Sequence, residues 1–292
     1  MSIKRIYIFI LGLIVLTTLF MPGCAELNQL IETANVREPD VKVADVKIGS
    51  FTFKKVNLVF DIDISNPNSL GIDLNGFDYN FLLNDHSFLK GEQNQPLKIL
   101  ANGKSSVKVP VSLTFDEVYK AYKNLVNQDS IHYSFKSGLK FKLPILGVTR
   151  IPVSKSGTLP NVKIPAVSLR GIKLNHLGFT SADLEVEISV KNPNNFGLNL
   201  DHFNYHLNVA GQEWVTGIKS KEIQLSEKKT GDISIPVSLN FLQMGQSILN
   251  ILTSDQALNY QFSGSTDILT TLPLLEKYKL QFKKSGQTKL LK

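Results

Sequence analysis

Displaced by 126 residues, the sequence falls on itself. Pro39 meets Pro165 and Val41 meets Val167; Leu74, Phe77 and Tyr79 meet Leu200, Phe203 and Tyr205. Pro110-Val111-Ser112-Leu113 meets Pro236-Val237-Ser238-Leu239, and Ser137-Gly138 meets Ser263-Gly264. Near the end the offset becomes 129, where Lys155-Ser156-Gly157 meets Lys284-Ser285-Gly286, so a three-residue insertion is expected in a hairpin of the second copy. A two-copy repeat of this period is a tandem domain, because solenoid units run to only about 20–50 residues. The boundary falls near Gly157-Thr158-Leu159-Pro160, giving expected domains over 36–158 and 159–292.

Within each copy the hydrophobic period is two. Val56, Leu58, Phe60, Ile62 and Ile64 alternate with Asn57, Val59, Asp61, Asp63 and Ser65. In the second copy Ala182, Leu184, Val186, Ile188 and Val190 alternate with Asp183, Glu185, Glu187, Ser189 and Lys191. This is the pattern of a half-buried antiparallel strand. The next strand slips phase by one residue at Gly76, and its twin at His202, as a β-bulge would require. In a third strand Pro110 and Pro236 fall on outward positions; a proline cannot donate to a ladder, so that strand lies at a sheet edge or pairs on one side there. One helix per copy interrupts the pattern, at 116–127 and around Met244–Leu252, with Asp116 as the expected cap of the first. About seven strands and one short helix per copy predict an all-β fold of two tandem β-sandwiches of immunoglobulin or fibronectin-III type.

The first 23 residues are a different material. Lys4 and Arg5 precede an apolar run from Ile6 to Phe20, shorter than the roughly 20 residues a spanning helix needs and matched to a secretory signal. Met21-Pro22-Gly23-Cys24 follows and resembles the lipobox of bacterial lipoproteins. That resemblance implies a cleaved signal peptide over 1–23, a lipid on the Cys24 sulfur and an anchor linker over 24–35. An uncleaved N-terminal anchor helix is the other reading. Both put the chain at a membrane. Cys24 followed by Ala25 resembles the sorting context of outer-membrane lipoproteins, hence an expected place in the cell envelope, facing the periplasm in a Gram-negative host. Cys24 is the only cysteine, so no disulfide framework is available. Without Lys4 and Arg5, 30 basic residues stand against 25 acidic ones, a dispersed net +5 whose doublets are too short for a nucleic-acid arm.

The most distinctive motif is Asn66-Pro67-Asn68 with Gly71, repeated as Asn192-Pro193-Asn194 with Gly197. It reads as a hairpin connection: proline fixes φ and stops the ladder, asparagine side chains bond back to the turn, and glycine allows re-entry. With the alternating strands before it and the Pro-Val-Ser-Leu strands after it, the motif resembles the late-embryogenesis-abundant group 2 family, also called the WHy (water stress and hypersensitive response) domain. The resemblance covers most of 36–288. It implies a sandwich with one helix, no catalytic residues and no cofactor. It also implies protection of proteins or membranes under desiccation or osmotic stress.

Other constellations carry little chemistry. His202 and His206 lie on one strand about 13 Å apart, too far to share a metal ion. Asp61 with Asp63 and Glu185 with Glu187 are read as solvated pairs on a wet strand face, and Trp214 with its twin Phe88 as packing aromatics. The expected function is therefore a non-enzymatic, lipid-anchored envelope protein that touches client proteins or lipid. The alternative is a specific protein- or lipid-binding assembly module, since fold alone does not choose between them.

Overall fold

A computed structural model describes residues 36–291, apart from positions 95, 145 and 246. The first repeat supplies β1 (Asp40–Phe51), β2 (Lys55–Ser65), β3 (Ile72–Leu83), β4 (His86–Gln93), β5 (Leu97–Ile99), β6 (Lys104–Thr114), β7 (Ser130–Leu143) and β8 (Gly147–Pro160). The second supplies β9 (Ala166–Leu177), β10 (Ser181–Lys191), β11 (Leu198–Val209), β12 (Gln212–Lys219), β13 (Ile223–Leu225), β14 (Thr230–Asn240), β15 (Leu258–Thr270), β16 (Tyr278–Thr288) and β17 (Leu290–Leu291).

The fold is all-β, and each sheet draws on one repeat only. The first repeat has a small sheet ordered β1-β2-β6 and a larger one ordered β4-β3-β7-β8, with β5 beside β3. The second has β14-β10-β9-β17 and β12-β11-β15-β16, with β13 beside β11. By backbone contacts the described residues form two compact units. One holds the chain through Lys47 with Val59–Pro110 and His132–Gly157; the other holds Ile48–Leu58, Val111–Ile131 and Thr158 onward. The segments 48–58 and 111–131, which the repeat assigns to the first copy, thus group with the second.

The alternating residues are the core. Val56, Leu58, Phe60, Ile62 and Ile64 are all buried, as are Ala182, Leu184, Val186, Ile188 and Val190. In the first repeat Phe60 stacks on Phe135 of the opposite sheet, ring centroids 4.1 Å apart. In the second, Phe282 lies between Phe203 and Phe262, at 5.4 Å and 5.2 Å. β6 and β14 are edge strands, as Pro110 and Pro236 require, and both prolines face outward.

The bulges stand where the phase slips. Register breaks between Leu74 and Gly76 against β7, and between Asp201 and Asn204 against β15. Gly76 has φ +153°, and a Cβ there would sit 2.3 Å from the Gln93 carbonyl oxygen. His202 holds its bulge in the left-handed region at φ 50°, with its amide donating to Asp201 Oδ1 at 2.9 Å.

Three local expectations are corrected. The first helix, α1, is only Phe115–Ala121, followed by a 3-10 turn over Lys123–Asn127. Helical geometry ends at Tyr122, with φ −135° and ψ 83°, and the buried Asn161 side chain donates to the Leu125 and Gln128 carbonyls at the far end of the 3-10 turn, at 2.6 Å and 2.8 Å. Asp116 does not cap α1; the N-cap is Thr114, and Asp116 sits in the first turn paired to Lys120 at 2.6 Å. The second copy has two short helices, α2 (Phe241–Met244) and α3 (Ser247–Thr253), rather than one. They part at Gly245, whose φ of 86° no right-handed helix holds and which replaces Tyr119 of the first copy.

Candidate functional site

The repeated motif forms a buried, hydrogen-bonded polar cluster in each sandwich. β2 lies in the small sheet and β3 in the larger one, so Asn66-Pro67-Asn68 is a crossing between sheets and not the expected hairpin. The same holds for Asn192-Pro193-Asn194 between β10 and β11. A crossing must carry backbone polar groups over the end of an apolar core, where unpaired groups are costly. The asparagines meet that requirement. All four are buried.

Asn66 Nδ2 donates to the Leu70 carbonyl at 2.9 Å and the Leu100 carbonyl at 3.0 Å. Its Oδ1 accepts from the Asn68 amide at 3.0 Å and from Asn68 Nδ2 at 2.8 Å. Two donors and two acceptor sites are the whole capacity of an amide side chain, and all are used. Asn68 then reaches 31 residues back. Its Oδ1 accepts from the Arg37 amide at 2.7 Å, and its Nδ2 donates to the Arg37 carbonyl at 2.9 Å. Backbone bonds from Asn66 to Gly103 and from Asn102 to Asn68 tie in the β5–β6 loop.

The second repeat copies this bond for bond. Asn192 Nδ2 donates to the Phe196 and Ser226 carbonyls at 2.8 Å and 3.0 Å, and Oδ1 accepts from the Asn194 amide at 3.0 Å. Asn194 accepts from the Lys163 amide at 2.7 Å and donates to its carbonyl at 2.8 Å. Each motif is thus a clamp on three segments: the entry of the first strand, the sheet crossing and a distant loop. The side chains do bond within the turn, but their longer reach to Arg37 and Lys163 had no signal in the sequence, because the partners are main-chain groups.

Chemically the clamps are closed. Amides do not titrate, and every side-chain donor of the four asparagines is occupied by a partner within the fold, so the clamps bind the chain to itself. A related buried hub, Asn161, serves the first repeat alone: the Tyr119 hydroxyl lies 2.5 Å from its Oδ1, and burial pushes that phenol up to about 12. The carboxylate pairs are not equivalent. Asp61, expected on the wet face, is covered, and Lys47 Nζ lies 2.6 Å from its Oδ2; that bond holds the carboxyl below the ordinary range. Asp63 is exposed. His202 turns to Asp201 at 2.9 Å and His206 to Glu213 at 3.4 Å. Among the described residues no three His, Cys, Asp or Glu side chains are grouped to hold a metal ion. Trp214 is buried and Phe88 half-buried. Cys24 lies outside the described residues, and among the described residues no helix is long and apolar enough to cross a membrane.

The family model for "Late embryogenesis abundant protein" matches twice, over residues 61–157 and 187–286. The chain belongs to this family. Each match takes in one Asn-Pro-Asn motif, while the main-chain partners Arg37 and Lys163 lie outside the matched residues. Among curated relatives, the late embryogenesis abundant protein Lea14-A of Gossypium hirsutum is 27% identical over 137 residues, 47% of this chain and 89% of that protein. The desiccation protectant protein Lea14 homolog of Glycine max is 24% identical over 137 residues, 47% and 88% of the two chains. The solution structure of a late embryogenesis abundant protein aligns over 51% of this chain and 84% of that one, at 22% identity and a TM-score of 0.35. The solution structure of an Arabidopsis thaliana protein aligns over 43% of this chain and 83% of that one, at 21% identity and a TM-score of 0.35. Each relative aligns over about one repeat's length of this family member.

Proposed function

We propose that this protein is a non-enzymatic protectant of proteins or membranes during water loss, held in the cell envelope by a lipid on Cys24. The observation that carries the protective part is the double match to the late embryogenesis abundant family, of which the Glycine max relative is named a desiccation protectant protein. The physical reading agrees with it: the polar clusters of both repeats are consumed internally, which leaves surface contact as the mode of action. The lipid anchor is carried by the Ile6–Phe20 run and the Gly23-Cys24 pair.

Drying and rehydrating a labile enzyme with the processed chain, against an unrelated two-domain β-sandwich at equal mass, tests the protective part. Recovery clearly above the control supports it; recovery equal to the control points to a single specific partner instead. The anchor is tested separately. Cys24→Ser is expected to leave the precursor unprocessed or to release the protein from membranes, and an unchanged, processed, membrane-bound variant refutes lipidation.

A further inference from the structure

The two repeats end differently at their first hairpins. Phe179, between β9 and β10, is 104% exposed, and Leu242, on α2, is 85% exposed. The two segments are neighbours: the Phe241 amide donates to the Thr180 carbonyl at 2.9 Å, and Ser181 stands opposite Asn240. Leu177, at the end of β9, and Leu249, on the adjoining α3, are exposed apolar side chains as well.

Under the 126-residue shift, Phe53 stands for Phe179 and Asp116 for Leu242. Phe53 is 2% exposed, and its ring packs 5.3 Å from Tyr278 within one compact unit. The residues after it and the adjoining helix, whose Phe115 amide donates to the Lys54 carbonyl, are charged: Lys54, Lys55, Asp116, Glu117 and Lys120. In the second repeat those positions read Thr180, Ser181, Leu242, Gln243 and Gln246. No Asp, Glu, Lys or Arg occurs from Leu174 to Ala182 or from Phe241 to Ser254.

This contrast identifies the occupant. Where protein covers the hairpin tip, a charged rim is retained, as the polar rims of protein interfaces are. Where the tip is open, the rim is uncharged and one of its positions, 242, is leucine in place of aspartate. Hydrocarbon selects against charge, and aromatic and aliphatic side chains on a projecting tip are what the bilayer interface accommodates.

We propose that this end of the second repeat, formed by Leu177, Phe179 and Leu242, inserts into the interfacial layer of a lipid bilayer. The inference rests on the envelope reading for the presence of a membrane but not on the chemistry at Cys24.

The test uses the full chain mixed with phosphatidylcholine vesicles, with and without brominated acyl chains. In Phe179→Trp, the new indole is expected to shift to the blue on adding vesicles and to lose most of its emission to brominated lipid. The native chain, whose only tryptophan is the buried Trp214, is the blank. Adding Leu177→Asp and Leu242→Asp should abolish both changes while the far-ultraviolet dichroism stays that of the parent. Flotation, scored in parallel, reports attachment by any route. Flotation with no quenching overturns the tip proposal and leaves the anchor standing, and absence of both overturns it too. A blue shift that depends on protein concentration and not on vesicles also overturns it, by marking a contact between proteins.

Discussion

The two repeats share their asparagine clamps bond for bond, yet they finish their small sheets in different ways. In the second, β17 adds in parallel to β9, with Leu290 beside Ile172 and Leu291 beside Lys173. Gly171 makes room, since a Cβ there would stand 3.1 Å from Leu291 Cδ1. In the first repeat the matching position is Asp45, and the following Val46 amide donates to the Asp45 carboxylate itself at 2.8 Å. Among the described residues one edge is covered by a strand and the other carries a charge, a common protection for an open edge. The large sheets differ too. Arg150 pairs with Asp78 at 2.6 Å and 2.9 Å in the first, while the shifted positions in the second are Lys279 and Asn204. Buried polar groups with every bond used leave no room to drift, because losing one partner strands the rest. Edges and rims have water as a substitute partner, so they diverge.

The comparison predicts the largest loss at the clamps. Asn66→Ala strands the Leu70 and Leu100 carbonyls and the Asn68 amide, and should cost about 3 kcal/mol or more by denaturant unfolding. Asn192→Ala should cost the same within roughly 1 kcal/mol, and a clear inequality would break the equivalence of the two clamps.

At the bulges the repeats should part. Gly76→Ala forces a Cβ against the Gln93 carbonyl at a backbone angle that side chains avoid, for a loss of about 2 kcal/mol. His202→Gly, on a left-handed backbone a glycine holds easily, should move stability by less than about 1 kcal/mol in either direction.

Removing residues 290–292 should cost about 1 kcal/mol and speed amide exchange along the β9 edge without affecting β1. Equal changes on both edges would mean that β17 does not act locally.

The smallest effect is a pH dependence. The Arg150 guanidinium holds the Asp78 carboxyl below its ordinary value. A depressed folded value stabilises above the unfolded carboxylate range, near pH 3.9, and that stability is lost as pH falls through the folded value. Both groups are partly solvated, so the contribution is under about 1 kcal/mol. Arg150→Ala should remove it at neutral pH and flatten the acid side of the stability curve. Asn204 gives the second repeat no equivalent, and Lys279→Ala should leave the curve's shape unchanged.

Much of this was legible along the chain because it depends on period and on backbone permission. Alternation placed Val56 to Ile64 and Ala182 to Val190 in the core, since a strand has only two faces. Pro110 and Pro236 announced edge strands because they lack a donor. The phase slips announced bulges, and the drift in offset announced the insertion, which lies in the longer β15–β16 connection. The repeat determined that whatever fold one half adopts, the other adopts too.

What the tertiary structure decided are the matters of which main-chain group meets which side chain. Asn66-Pro67-Asn68 reads equally well as a hairpin or a crossing, because its local rules are the same; only the sheet assigned to β3 separates them. The 3-10 turn that follows helix α1 is closed by Asn161, distant in sequence, whose side chain donates to the Leu125 carbonyl. Ser137-Gly138 and Ser263-Gly264 match in sequence, yet Tyr79 faces Ser137 while Tyr205 faces Gly264, because the second pair of strands is set one residue over along its whole length, with Leu74 facing Phe141 but Leu200 facing Ile268. Side-chain pattern is a property of each strand alone. Partnership with a carbonyl is not, since every residue carries one and none marks it in the sequence.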